Sequence, residues 1–425
     1  MIAYPNPKPI SFRQLVAEIT DTSYATHGLY FHPAKFIPQV VRFCLDKFVP
    51  DGGSVFDPFA GSGTTGLEAV IGLKNAYLAD LNPLIDLFLP VKIPNFSPSE
   101  WGAIYSHTQT MMMHLKQQTC PPFTMSELPY WYPPSVYDKF THIWGQFHAL
   151  EDNLSRKVLA IALFKTSKKY SYAEHNMPKL FTTKTKRAWL DGLLAQSGEI
   201  DDFIWHDLKQ ELNTIYQQVG KLLHTYPKRG QVQVYGGVDS ATYNFGDMPL
   251  VDAIITSPPY LQAQEYIRTF KLELWWAGWS ADDVRRFASL EIPFRKPQAP
   301  LALDYVDQVS ASILDRKRQQ LLHAYFEFML ATLDNASKHL KSGGCLCLFV
   351  GNPQMENTTI EIWKAVYEHL VGSGQFIFLD LLEDPIKTRK LFGGRNNPNP
   401  DGMKSEYMLI LHHYMICFSL LYANL

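Results

Sequence analysis

The sequence predicts an α/β fold with a mostly parallel, doubly wound sheet and a mainly helical insertion. Three observations predict it. Short apolar runs alternate with helical stretches, which is the signature of strands joined by crossover helices. A glycine-rich turn joins the first of these runs directly to a helix. Between the second and third runs lies a mostly helical stretch, residues 91–230, far longer than a crossover connection needs.

The first run starts at Ser54 and reads S-V-F-D-P-F-A-G-S-G-T-T-G-L-E-A-V, a strand, a loop and a helix with Leu67 and Val70 on one side. The second, Asn75 to Ala79, ends at Asp80 and is closed by Asn82-Pro83, so an acidic residue stands at the C-terminal tip of a strand. After the insertion come the runs Val232 to Tyr235, Ala253 to Ile255 and Cys345 to Val350. The chain thus divides into residues 1–90, the helical insertion 91–230 and residues 231–425. Met408 to Leu425 is apolar, but His412 and His413 interrupt it, and it reads as a final strand with a tail rather than a membrane helix.

A chain of 425 residues, 46% hydrophobic, buries a core of enzyme size. The formal charge of -2 excludes a uniformly basic coat, so any polyanion must be met by a local basic surface. The five cysteines form no C-x-x-C pair, which suits a reducing, cytoplasmic setting, and the first ten residues hold no apolar run able to act as a signal peptide. His27, His32, His175 and His323 lack ligand spacing, and no metal site is expected.

Two strings carry chemistry. In D-P-F-A-G-S-G-T-T, Gly61 and Gly63 allow a tight turn, and the helix that opens at Thr64 and Thr65 offers backbone N–H groups to an anion, a phosphate or a carboxylate. Asp57 is placed to attract an amino group and Phe59 to pack beside a ligand. Asp80 suits either ribose hydroxyls or a helix cap. The second string, D-A-I-I-T-S-P-P-Y over Asp252 to Tyr260, runs a strand into a loop stiffened by Pro258 and Pro259. There the Ser257 hydroxyl and neighbouring carbonyls can hold the hydrogens of an aromatic amine, and Tyr260 offers a flat face for a base. An ordinary structural turn is the alternative for that loop.

The basic stretch Phe164 to Trp189 sets Lys165, Lys168, Lys169, Lys179, Lys184, Lys186 and Arg187 against the single acid Glu174. It reads either as a grip on a nucleic-acid backbone or as a solvated helical face. Arg285, Arg286, Arg295 and Lys296 form a second basic patch. Glu265, Arg268, Lys271 and Glu273, after the proline loop, either line a pocket or face solvent.

Together the two strings resemble the amino-methyltransferase family of DNA modification enzymes, whose motif I reads D-P-F-x-G-S-G-T-T and whose catalytic motif IV is (D/N/S)-P-P-(Y/F/W). His32-Pro33-Ala34-Lys35-Phe36-Ile37-Pro38 is similar to the family's motif X, and Asp239 in G-G-V-D-S to the acidic position near the cofactor adenine. The resemblance implies a Rossmann-like methyltransferase sheet closed by an antiparallel hairpin, with Arg389 to Tyr407 leading into it. It implies S-adenosyl-L-methionine as cofactor, held by Lys35, Asp57, Phe59, Gly61, Gly63, Thr64, Thr65, Asp80 and Asp239, and a catalytic loop of Ser257, Pro258, Pro259 and Tyr260. It further implies double-stranded DNA as substrate, base flipping, and a restriction-modification role with a separate cognate endonuclease. Lys165, Lys168, Lys169, Lys184, Lys186 and Arg187, inside the insertion, are the DNA-contact candidates. The order, with the insertion between motifs I and IV, is similar to one class of the family, whereas the wording of motif I is commoner in the class with the permuted order. Serine before P-P-Y points to N4 of cytosine, with N6 of adenine as the alternative. An RNA amino-methyltransferase and a catalytically silent nucleic-acid binder are the remaining readings. Cytosine C5 chemistry is set aside, because the loop holds no proline-cysteine.

Overall fold

The computed structural model describes residues 3–30, 32, 35–174, 180–196, 200–261, 265–298, 301–385 and 405–414. Strands β1 (Lys8–Pro9), β2 (Ser54–Asp57), β3 (Asn75–Asp80), β4 (Val232–Gly236), β5 (Val251–Thr256) and β6 (Leu340–Gly351) are followed by a short ladder of β7 (Gln354–Met355) and β8 (Thr358–Thr359), then by β9 (Phe376–Pro385) and β10 (Ser405–His413). Apart from the β7–β8 ladder they form one sheet in the order β1-β9-β10-β6-β5-β2-β3-β4. From β6 to β4 every pairing is parallel, with Val55 beside Ala253 and Phe56 beside Tyr77. β10 is antiparallel to both β6 and β9, the closing hairpin the resemblance implied. Residues 386–404 lie outside the described residues, so most of the segment expected to lead into that hairpin does too.

Alternation along the strands builds two cores. Val55, Ala253, Ile255, Cys345 and Cys347 point to one face, while Phe56, Ile254, Leu346 and Leu348 point to the other, as a period of two requires. Helices α1 (Phe12–Leu15), α2 (Pro38–Phe48), α3 (Thr64–Ile71) and α4 (Ile85–Lys92) serve the first face through Phe12, Val40, Leu67 and Leu89. The insertion is helical as expected: α5 (Pro98–His114), α6 (Pro134–His148), α7 (Leu154–Lys169), α8 (Lys184–Gln196) and α9 (Ile200–Thr225). Its Phe140, Leu159, Leu163, Leu208 and Leu212 join the same apolar cluster as the first sheet face. α10 (Tyr266–Thr269), α11 (Lys271–Trp276) and α12 (Ala281–Leu290) follow motif IV, and Trp276 of α11 stacks on Trp144 of α6 at 5.5 Å. On the second face lie α13 (Asp304–Ala311), α14 (Arg316–Ser337) and α15 (Ile362–Gly372), through Val306, Tyr325, Met329 and Val366.

Local sequence sets the helix ends. Ser97 and Glu100 form a reciprocal capping box that starts α5, with Pro98 at its first position, and Ser280 and Asp283 do the same for α12. α3 has no side-chain cap: its N-cap is Gly63, at φ 74°, where a side chain would meet Leu89 at 2.5 Å. Glu68, buried on α3, ties the helix to the N-terminal segment by accepting from His27 at 2.8 Å and from Arg42 at 2.7 Å. Burial alone would raise the Glu68 carboxyl, but these partners hold it below the usual range.

Candidate active site

Strand β2 has β3 on one side and β5 on the other, so the chain order reverses there and a crevice opens past the C-terminal ends of the strands. A cleft of about 1130 Å³ occupies that place. Motif X contributes His32 and Lys35 to it, motif I Asp57, Phe59 and Gly61, and the tips of β3 and β4 Asp80 and Asp239. Ser257, Pro258, Pro259 and Tyr260 complete the wall. Residues scattered over more than two hundred positions thus meet at one concave surface that combines aromatic rings with a small set of acidic and basic side chains.

Asp57, at the end of β2, is 2% exposed. Its two oxygens accept from the hydroxyls of Thr256 and Thr65, each at 2.7 Å, and from the Phe59 N–H at 3.1 Å. Burial pushes the carboxyl up to about 6, while the three hydrogen bonds pull the other way. Thr65 therefore acts behind the loop, joining β2 and β5 through Asp57, and its hydroxyl also lies 3.4 Å from the Ile255 carbonyl. Gly63 and Thr64 likewise fall outside the cleft lining, Thr64 being buried beside Ser62. Motif I thus splits into a front, Asp57 to Ser62, and a back, Gly63 to Thr65, that shapes it.

The glycine turn uses one of its own N–H groups. Gly61, at φ 48°, donates to Asp80 Oδ2 at 2.8 Å, and Asn82 donates to Oδ1 at 2.8 Å. Asp80 thus organises the turns on either side of it and stands in the cleft wall, while the N-cap position of α4 falls to Leu84. Burial raises its carboxyl, and the backbone donors oppose that. Lys35 donates to the His27 carbonyl at 2.9 Å, fixing motif X against the segment that Glu68 anchors. Lys92, at the end of α4, passes beneath the glycine loop and donates to the Ser62 carbonyl. Burial brings its ammonium down to about 7.

In motif IV, the Pro259 carbonyl accepts from the Tyr325 hydroxyl at 2.9 Å, so α14 braces the proline loop. The Tyr260 hydroxyl donates to Glu406 on β10 at 2.9 Å. Its ring is held by the closing hairpin while it lines the cleft. Ser257 is half-buried at the cleft wall.

Several wall residues are missed in the sequence or given another place there. Arg295, assigned there to a surface patch, turns inward and pairs with Asp239 at 2.8 Å, its guanidinium 4.5 Å from the Phe328 ring centre. Glu291 accepts the Ile267 N–H at 3.0 Å, and burial pushes its carboxyl up to about 8, so it is largely protonated at neutral pH. Tyr266 stacks on His32 at 5.9 Å. Only the proximity of Glu291 and Arg295 to the helix after motif IV could have pointed to them.

The basic insertion residues separate into two groups. Lys165 pairs with Glu211 at 3.0 Å, Lys168 with Glu273 at 2.9 Å and Lys169 with Asp207 at 2.5 Å, because these lysines of α7 face α9 and α11. Lys184 and Arg187 lie on α8, Lys184 exposed and Arg187 stacked at 4.2 Å over Tyr172 and 5.6 Å over Tyr130. Lys186, mostly buried, donates to the Lys169 carbonyl at 2.8 Å and sits 4.1 Å over Trp189. Lys179 lies outside the described residues. Arg285 and Arg286 pair with Asp282 and Asp283 on their own helix.

Among the described residues, no group of three or more His, Cys, Asp or Glu side chains is arranged to hold a metal, and no helix is long and apolar enough to cross a membrane.

The sequence model of the N6/N4 methylase family, described as DNA methylase, matches residues 15–83, which span motif X, motif I and Asp80. The chain is 23% identical over 290 residues to the Type II methyltransferase M.MvaI of Kocuria varians, covering 64% of this chain and 62% of that protein. It is 22% identical over 307 residues to the Type II methyltransferase M.BsoBI of Geobacillus stearothermophilus, 66% of this chain and 58% of that protein. A segment of 70 residues is 34% identical to the Type II methyltransferase M.MjaII of Methanocaldococcus jannaschii, covering 16% of this chain and 13% of that protein. The chain therefore spans about three fifths of the length of the first two relatives.

Proposed function

We propose that this chain, a relative of the DNA amino-methyltransferases, transfers a methyl group from S-adenosyl-L-methionine to the N4 amino group of cytosine in duplex DNA. The observation that carries the reading is the single cleft in which the motif I front, Asp80 and the Ser257–Tyr260 loop face one another. The residues present fit the cofactor: an ionisable carboxylate at Asp57 for an ammonium, Asp80 for ribose hydroxyls, and Phe59 for an apolar flank. When bound, the cofactor supplies an electrophilic methyl group.

The chain's own residues position the other reactant. A base swung out of the helix stacks on Tyr260, whose ring the Glu406 hydrogen bond keeps in place. Ser257 accepts a hydrogen of the amino group, drawing its lone pair out of conjugation with the ring. Tyr325 holds the Pro259 carbonyl, so the loop keeps its shape without the substrate and little reorganisation is needed on binding. No side chain becomes covalently attached. The neutral serine before Pro258, rather than an aspartate, supports cytosine N4 over adenine N6. For the DNA backbone we propose Lys184 and Arg187 of α8, whose charges no carboxylate neutralises in an ion pair among the described residues.

Incubation with methyl-labelled cofactor and mixed-sequence duplex DNA, followed by nucleoside mass spectrometry, tests the proposal. Label in N4-methylcytosine is the expected result. N6-methyladenine would move the base assignment, and label in RNA or protein alone would overturn the DNA reading.

A further inference from the structure

Beside the catalytic cleft opens a second one of about 1000 Å³, and the two share Glu291 as a wall. Its other walls come from three separate parts of the chain: Trp131 from the insertion, Arg268, Lys271 and Trp275 from the helices after motif IV, and Phe294 beyond α12. Phe294 is 44% exposed, an open aromatic ring in a wall that also holds Arg268, Lys271 and the carboxylate of Glu265. The indole N–H of Trp275 is buried without a hydrogen-bond partner among the described residues. A donor left in that condition favours a ligand bearing acceptors. Glu291, largely protonated, adds an O–H rather than a negative charge to this wall.

Flat rings, an unmatched donor and a cation are the chemistry that holds an unstacked nucleotide: base faces on aromatics, base-edge acceptors on N–H and O–H, and phosphate on Lys271, Arg268 being already paired with Glu265 at 2.7 Å. Continuity decides which nucleotide. A strand that delivers one base to the first cleft carries its covalent neighbour to the mouth of the second. We infer that this second cleft receives a nucleotide flanking the target base, so that the protein draws two nucleotides of one strand out of the stack. The inference rests on the DNA reading given above. The surface continues outward from Trp131 to Tyr130, 64% exposed, whose ring lies under Arg187.

The test uses the full chain and duplexes built around the methylated site, once that site is mapped in DNA exposed to the protein. A base that must leave the stack is extruded more easily from a mismatch. With S-adenosylhomocysteine present, a mismatch at the target tightens binding about tenfold, and a mismatch at one neighbour does the same. Trp131→Ala and the exposed Phe294→Ala lose the tightening at the neighbour and keep it at the target; the retained effect shows that each variant is folded. Tightening at the target alone in the parent protein, or undiminished tightening at the neighbour in both variants, overturns the second-nucleotide inference and leaves the proposed activity standing. Absence of any methylated base in DNA overturns both.

Discussion

Asp57→Asn should make the ligand-free protein more stable and the cofactor complex weaker, two effects of opposite sign from one oxygen. Asp57 is 2% exposed, and burial raises its carboxyl from an ordinary value near 3.8 to about 6. A shift of roughly two units means that keeping the carboxylate ionised costs the folded state about 3 kcal/mol. For a carboxyl whose folded value is raised, that cost is present in full above about pH 6 and is gone below the unfolded value near 4. The substituted side chain keeps an acceptor for Thr256 and the Phe59 N–H but presents an amide to Thr65, so part of the gain is returned. A net rise of about 1–2 kcal/mol in unfolding free energy at about pH 7.5 is expected, by denaturant titration. The same substitution removes the charge proposed to attract the cofactor ammonium, worth about 1.5–3 kcal/mol, or roughly 10–150-fold in affinity. In the parent protein, S-adenosylhomocysteine affinity should fall about tenfold per pH unit below 6, as Asp57 takes up its proton. Isothermal titration from about pH 5 to about pH 8 reads this. A variant that is less stable than the parent and still binds with the same pH profile would refute the assignment of Asp57 as a strained, ligand-directed carboxylate.

Ser257→Ala should lower kcat about 10–100-fold while leaving the cofactor dissociation constant unchanged, which separates amine positioning from cofactor binding. Tyr325→Phe removes the brace on the Pro259 carbonyl and should reduce stability by about 1 kcal/mol together with a several-fold loss of kcat. Lys168→Met leaves the buried Glu273 without its cation and should destabilise by about 3–5 kcal/mol, read as a lower Tm. Lys184→Gln, at an exposed position, should leave Tm within a degree or two and reduce the slope of log affinity for DNA against log salt by about one.

Much of the sheet was legible because strand chemistry is local. The runs at Ser54, Asn75, Val232, Ala253 and Cys345 each became strands paired in parallel, and Asp57 and Asp80 stand at strand tips as their turn residues implied. The cleft drew in the front of motif I and the whole proline loop. What the sequence withheld was pairing across distance. Nothing near Lys168 announces that Glu273, more than a hundred residues on, will share its charge. A run of lysines on α7 thus reads as a basic surface when it is the seam between α7, α9 and α11. The pair of Arg295 and Asp239 is hidden in the same way: one reads as part of a basic patch and the other as a cofactor contact, and nothing in the sequence joins them. Thr65 illustrates a subtler limit: the motif shows that the residue belongs at the site but not that it faces the strands instead of the cleft.

The helical insertion packs through α7 against α4 and α11, with Leu159 and Leu208 in the same apolar cluster as Val55 and Leu67. A segment built in this manner is not a detachable module. Transplanting residues 91–230 from a relative would exchange the apolar partners that α7 gives to α4 and α11. On the DNA reading proposed above, altered target preference is to be sought in the side chains that α8 and the loops at Tyr130 and Phe294 expose, with the inward faces of α7 and α9 left alone.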